Sequence, residues 1–231
     1  MNFSITILYH MKKYISLLHT AIIDFIAPAY CAQCSIFLFE NTKILCDECM
    51  HSIQPVVSTT MHLNTTQSIK IFTIAAYKDP LKKLILAKSW SNIAASNQLG
   101  QLIWQLTNVS HAPCDIFVPI PLHWTRFAWR GYNQADEIAQ VLSAKSGKPV
   151  AHILHRVKRT RYQAGLESIL RQENVKNALT LNVKDITMYQ GKHIILVDDL
   201  MTTGSTLRVA AKELFKLKPA SISAVVACRV I

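Results

Sequence analysis

The chain is poor in the residues that mark extended or repetitive architectures. Its 231 residues include only six glycines and eight prolines, with no low-complexity tract and no internal repeat. That excludes collagen-like, linker-like and solenoid folds. Charged residues are also few, at 17% against 50% hydrophobic, a composition that buries a core instead of remaining disordered. Acidic residues are the scarcer sign. Fourteen Asp and Glu stand against 25 Lys and Arg, a formal net charge of +11. Such an excess attracts polyanions: nucleic acid, phosphorylated metabolites or an anionic membrane face. It concentrates in 121–180, where ten Lys/Arg meet four Asp/Glu.

No apolar run is long and clean enough to span a bilayer. The stretch 14–28 follows Lys12 and Lys13 as a secretory signal would, but His19 and Asp24 interrupt it and no small-x-small site precedes Tyr30. Leu17, Leu18, Ile22, Phe25 and Ile26 instead fall at helical spacing, so an amphipathic helix is expected, docked on the protein or lying on a membrane surface. Met11 offers a second start position. The expected compartment is the cytoplasm.

Four of the six cysteines form one pattern: Cys31 and Cys34 in CAQC, eleven residues, then Cys46 and Cys49 in CDEC. Each CxxC brings two thiolates to one ion without chain strain. Four thiolates complete a tetrahedral zinc site with no open position, so the site is expected to be structural. It would staple a segment too small to bury its own core, with Ile36, Phe37, Leu38 and Ile44 on a small hairpin. Disulfides or a redox CxxC are the competing readings, and the cytoplasmic expectation disfavours the first. His51 reads as a surface residue, and Cys114 and Cys228 read as small buried apolar groups.

Beyond the cysteines, 55–68 is rich in Ser, Thr and Asn and reads as a linker. A strand is expected at 69–77, a helix after Asp79-Pro80, and a second helix at 96–106. Strands at 116–120, 150–154, 193–197 and 221–228 then alternate with helices at 133–146, 172–178 and 205–217. This alternation implies a parallel sheet covered by helices, with ligands at the carboxyl ends of the strands.

The most informative segment is IILVDDLMTTGST at 194–206. Four aliphatic residues mark a buried parallel strand. Adjacent Asp198 and Asp199 are costly to bury, so they should emerge into a polar site. A short loop of Thr202, Thr203, Gly204, Ser205 and Thr206 then opens into a helix. Successive backbone N–H groups at such a junction suit a phosphate. A plain N-cap is the competing reading, and the lysine of a Walker-type loop is missing.

The whole segment resembles the phosphoribosyl-pyrophosphate (PRPP) signature of type I phosphoribosyltransferases. The segments VPIPLHWTRFAWRGYNQAD at 118–136, RVKRTRYQAGLESILRQENVKNA at 156–178 and YKDPLKKLI at 77–85, with the cysteine pairs, resemble the ComF family of competence-associated proteins. The resemblance implies a type I phosphoribosyltransferase fold, a parallel sheet flanked by helices, at 69–231, and a helix plus four-cysteine zinc module at 14–55. It further implies that Asp198 and Asp199 hydrogen-bond the ribose 2′ and 3′ hydroxyls and that Thr202–Thr206 hold the 5-phosphate. Arg126 and Arg130 would contact pyrophosphate, Mg2+ would bridge pyrophosphate and ribose oxygens, and a closing loop at 158–171 would contribute Arg159, Arg161 and Gln163, with Arg171 a weaker candidate.

The activity implied is transfer of ribose 5-phosphate to an acceptor with release of pyrophosphate. No segment specifies a purine or pyrimidine pocket, and no amino-terminal nucleophilic cysteine supports a glutamine-dependent amidophosphoribosyltransferase. The rival reading is a binding protein of DNA uptake that senses PRPP or handles single-stranded DNA without catalysis. It rests on the net charge, the basic run 156–161 and the aromatics Trp124, Trp129 and Tyr162. Other competence proteins are the further expected partners.

Overall fold

The computed structural model describes residues 29–39, 43, 45–87, 93–122, 127–128, 131–156, 179–183 and 185–230. The chain divides into two compact units, Met1–Ser52 and Ile53–Ile231. The expected helices at 14–28 and 172–178 lie outside the described residues.

In the first unit, β1 (Ala29–Tyr30) and β2 (Phe37–Leu38) pair antiparallel, Ala29 with Leu38 and Tyr30 with Phe37. Cys31 N–H donates to the Ile36 carbonyl and Ser35 N–H to that of Cys31, 2.8 and 2.9 Å. Ser35 turns the chain in the left-handed region at φ 60°. Helix α1 (Asp47–His51) begins directly after Cys46. Of the apolar residues expected to pack here, Leu38 is buried, Ile36 and Phe37 are exposed, and Ile44 lies outside the described residues; the neighbouring Leu45 is buried.

The second unit is built on a five-stranded sheet of β3 (Thr59–His62), β4 (Ser68–Ala76), β9 (Ser221–Arg229), β8 (His193–Met201) and β5 (Ile116–Pro119), in that order. β4, β9, β8 and β5 run parallel. β3 is antiparallel to β4, with Thr59 opposite Ile71 and His62 opposite Ser68. The supposed linker at 55–68 therefore holds an edge strand. Its polar Thr-Thr-Met-His sequence hides a strand whose outward positions are meant to be wet.

Strand alternation sorts the core. Ile194 and Leu196 of β8, Ile222, Ala224 and Val226 of β9, and Ile116 and Val118 of β5 pack with Leu207, Ala210, Ala211 and Leu214 of α5 (Ser205–Phe215). The intervening positions, among them Phe117, Ile195, Val197 and Val225, are equally buried. That opposite face is served by α3 (Ile93–Leu106) and α4 (Gln134–Ser146). These two helices cross closely at Gly100, where a Cβ would lie 2.8 Å from the Val141 Cβ. A shorter helix, α2 (Leu81–Ala87), follows β4.

The expected strand at 150–154 is reduced to a single parallel bridge, Phe117 with Val150. The chain then leaves the sheet as β6 (Leu154–Arg156), which pairs antiparallel with β7 (Leu179–Leu181). Strand β8 is four residues longer than its aliphatic run suggests, because β9 continues alongside it as far as Met201 opposite Arg229.

Candidate functional site

The carboxyl ends of β5, β8 and β9 converge on the β8–α5 junction. Asp198 and Asp199 lie within β8, half-buried, and so on opposite faces of the strand by its two-residue period. Asp198 Oδ1 accepts from the Asp199 N–H at 2.9 Å, which fixes one carboxylate against its neighbour's backbone. Thr202 and Thr203 are exposed, whereas Gly204 is buried.

Gly204 is the N-cap of α5, in the left-handed conformation at φ 71° and ψ 6°, and no side chain caps the helix. A Cβ at Gly204 would overlap the terminal methyl of Met61 on β3. Two constraints thus require glycine, one from φ and one from the edge strand. Thr203 Oγ1 donates to Ser205 Oγ at 3.1 Å, holding these hydroxyls together at the helix start. The first-turn N–H groups and the positive end of the helix dipole therefore face a junction lined by hydroxyls, an arrangement suited to a phosphate.

The loop at 121–133 is anchored beside the same carboxylates. Ile120 N–H donates to the Val197 carbonyl at 2.9 Å, and Asn133 Nδ2 donates to the Ile120 carbonyl at 3.0 Å. Asn133 also caps α4, its Oδ1 accepting from Ala135 N–H. Both ends of the loop are thereby pinned one residue from Asp198. Arg126 and Arg130 within it lie outside the described residues, as do Arg159, Arg161, Gln163 and Arg171 and the aromatics Trp124, Trp129 and Tyr162. The β6–β7 ribbon sets Arg156 opposite Leu179.

Sequence reasoning missed the role of β3. Arg208, one turn into α5, donates from its guanidinium to the His62 carbonyl at 2.5 Å. Met61 and His62 thus brace the phosphate-type loop from the side. The only sequence signal was the position of Arg208 four residues after Gly204.

In the first unit, the Sγ atoms of Cys31, Cys34, Cys46 and Cys49 all lie within 4.8 Å of one another. The Cys34–Cys46 separation is 3.7 Å. A tetrahedral site with Zn–S near 2.3 Å has an S···S edge of about 3.8 Å, so the four thiols fit such an ion. Cys46 N–H donates to Cys31 Sγ at 3.4 Å, a bond that stabilises a thiolate. Burial raises the Cys31 thiol, but the N–H groups of Cys34, Cys46 and Gln33 outweigh it and bring it down to about 6. Burial and three neighbouring thiols push Cys49 up. At Cys34 the Ile36 N–H lowers the thiol, while burial and its neighbours raise it in sum. Four crowded sulfurs oppose one another's ionisation until a cation joins them. The group can hold a metal ion such as zinc. Cys228 is fully buried, and burial lifts the half-buried Cys114 thiol to about 11.

Residues 128–231 match the phosphoribosyl transferase domain. Over 156 residues the chain is 36% identical to competence protein F of Haemophilus influenzae, covering 64% of this chain and 67% of that protein. Over 216 residues it is 31% identical to DNA utilization protein YhgH of Escherichia coli, covering 86% and 89%. Competence protein ComFC of Bacillus subtilis is 36% identical over 109 residues, 47% of this chain and 42% of that protein.

Proposed function

The chain belongs to the family of competence protein F and DNA utilization protein YhgH and carries a phosphoribosyl transferase domain, and from that premise we propose that it binds PRPP at the β8–α5 junction in the service of DNA uptake. The observation that carries this reading is the junction itself. Two adjacent carboxylates follow the buried run of a parallel strand two and three residues before its end, and an uncapped helix start follows through a left-handed glycine.

Each group has a role that matches its chemistry. Ionised carboxylates only accept hydrogen bonds, and vicinal ribose hydroxyls donate them, so Asp198 and Asp199 take the ribose. The N–H groups of 204–206, with the hydroxyls of Thr202, Thr203, Ser205 and Thr206, take the 5-phosphate. PRPP enters as its magnesium complex, which offsets pyrophosphate charge. The loop at 121–133, with Arg126 and Arg130, holds the pyrophosphate, and Arg159, Arg161 and Gln163 close over it. If an acceptor attacks C1 of the ribose, positive charge grows on the sugar as pyrophosphate departs. The chain's contribution is then positional and electrostatic. Zinc held by Cys31, Cys34, Cys46 and Cys49 supplies folding free energy to a module with few buried apolar side chains. The compartment is the cytoplasm, where such thiols stay reduced.

Calorimetric titration of Mg·PRPP into the wild-type chain and the Asp198→Ala/Asp199→Ala variant tests the assignment. Binding should be lost with the unfolding temperature preserved, and equal affinity in both proteins rules out the ribose role. The +11 charge and the names of the relatives favour single-stranded DNA as a further partner. That contact should weaken steeply with salt, and a flat salt response excludes it.

A further inference from the structure

The edge strand is interrupted where it passes the middle of β4. Thr59 opens β3 opposite Ile71, and four residues earlier Pro55 bridges to Ala75, with the Val56 N–H donating to the Ile74 carbonyl at 2.9 Å. The two registers agree, which brings Val57 level with Thr73, yet among the described residues no pairing joins these two. Proline has no N–H to give a ladder and is tolerated at a sheet edge. Val57 is left 83% exposed, a large apolar side chain at the lip of the gap.

The gap opens into a cleft of about 310 Å3, whose other wall is the end of α3 and the residues that follow it. That is far more than one structural water fills, and it lies at the lower end of pockets for small molecules. Val56, Val57, Phe72 and Leu106 supply apolar surface, and Ser58, Thr73, Thr107 and Asn108 supply polar groups. None of the lining residues is ionisable.

The polar groups are not equivalent. The Thr107 hydroxyl is committed, donating to the Ile103 carbonyl at 2.7 Å and accepting from the Val109 N–H. The Thr73 hydroxyl is not. Thr73 is 3% exposed, and its buried Oγ1 has no hydrogen-bond partner. A desolvated hydroxyl without a partner is costly, and valine would have the same shape without that cost. Asn108 is exposed and adds a carboxamide, whose donor and acceptor stand side by side.

This cleft is separate from the β8–α5 junction. Thr73 pairs with Val226 of β9, and Val226 pairs with Asp198 of β8. Two strand spacings, about 10 Å, therefore divide Thr73 from Asp198, and the cleft lies on the far side of β4, at the β3 edge of the sheet.

We propose that the cleft binds a small uncharged molecule carrying a ring and a carboxamide, the amide meeting Thr73 and Asn108 and the ring lying against Phe72 and Leu106. A charged ligand would lose its hydration with no counter-charge to meet it. A hydroxyl beside a carboxamide offers donor and acceptor together, which an amide answers with both of its own groups. The inference is independent of the PRPP reading.

The test titrates the full chain with benzamide and with its charged isosteres benzoate and benzamidine, followed by backbone amide chemical shifts in isotope-labelled protein. Benzamide should bind saturably, with shifts at 72–73 and 106–108. It should bind about tenfold more tightly than either charged isostere, although a chain of net charge +11 draws benzoate in general. Thr73→Val should weaken benzamide about tenfold, as one lost hydrogen bond implies, and should raise the unfolding temperature because the costly hydroxyl is gone. A merely structural threonine would instead lose stability on that change. Asn108→Ala, at an exposed position, should weaken benzamide with the unfolding temperature unchanged. Absence of saturable benzamide binding overturns the proposal, as does benzoate or benzamidine bound equally well. Full benzamide affinity in either variant overturns it, and so does a less stable Thr73→Val protein. Competition between Mg·PRPP and benzamide overturns it as well, by placing the probe in the site already described.

Discussion

Replacing Gly204 with alanine separates the two reasons why glycine stands there. The first is backbone: φ of 71° is left-handed, which costs a Cβ-bearing residue about 1–2 kcal/mol. Reduced freedom of the unfolded chain returns roughly 0.4–1 kcal/mol, leaving a net loss near 1 kcal/mol. The second is packing. The new Cβ overlaps the terminal methyl of Met61, and a displaced methionine at a partly buried site adds about 1 kcal/mol. Together these predict a loss of about 1–2 kcal/mol, which lowers the unfolding temperature by about 3–7 °C for a unit of this size.

Met61→Ala and the double variant complete a cycle that isolates the packing share. Its coupling should be about 1 kcal/mol by scanning calorimetry, the double variant being more stable than the sum of the single losses. The same cycle reads function. A shifted loop forfeits a hydrogen bond to charged phosphate, worth about 1.5–3 kcal/mol, so PRPP affinity should fall about ten- to a hundredfold in Gly204→Ala and recover partly in the double variant. A coupling below about 0.3 kcal/mol with unchanged PRPP affinity would refute the reasoning, because neither the edge strand nor the loop shape would then matter.

Arg208→Ala removes the bond to the His62 carbonyl and should cost about 1 kcal/mol; hydrogen exchange should show faster opening of β3 with β8 unaffected. The four-cysteine group predicts one zinc per chain by elemental analysis, lost in Cys46→Ser, and metal-free protein of full stability contradicts it. Asp115 accepts the backbone N–H of His193 at 2.8 Å, which holds its carboxyl below the ordinary 3.8 despite some burial. A depressed carboxylate stabilises above its unfolded value and loses that contribution as pH falls through the folded one. Wild-type protein should therefore destabilise more steeply below about pH 4 than Asp115→Asn, and parallel profiles would remove Asp115 from the account.

The parts of the fold legible in the chain are those where apolar period and strand length coincide. Ile194–Val197 is buried on both faces, so its continuous aliphatic run reads as a central parallel strand, and Asn133 with Gly147 brackets α4 by its caps. Two elements escaped because tertiary pairing, not local pattern, creates them. Strand β3 has no apolar alternation, and its existence depends on the open edge of β4. The last four residues of β8 are Asp198, Asp199, Leu200 and Met201, a poor strand sequence alone, yet β9 runs alongside as far as Arg229 opposite Met201 and extends the strand through them.

That extension changes what the two carboxylates can do. Placed after the strand, Asp198 and Asp199 would be adjacent turn residues aimed at one ligand edge. Placed within it, they straddle the sheet. Asp198 is on the α5 side with Gly204, Met61 and the brace from Arg208, and Asp199 is on the side of α3 and α4. One carboxylate thus stands on the face of the phosphate-type loop and the other on the face of α3 and α4. Changing them singly should therefore give unequal effects: Asp198→Asn should weaken PRPP binding more than Asp199→Asn. Identical losses of PRPP affinity in the two single variants would contradict their placement on opposite faces.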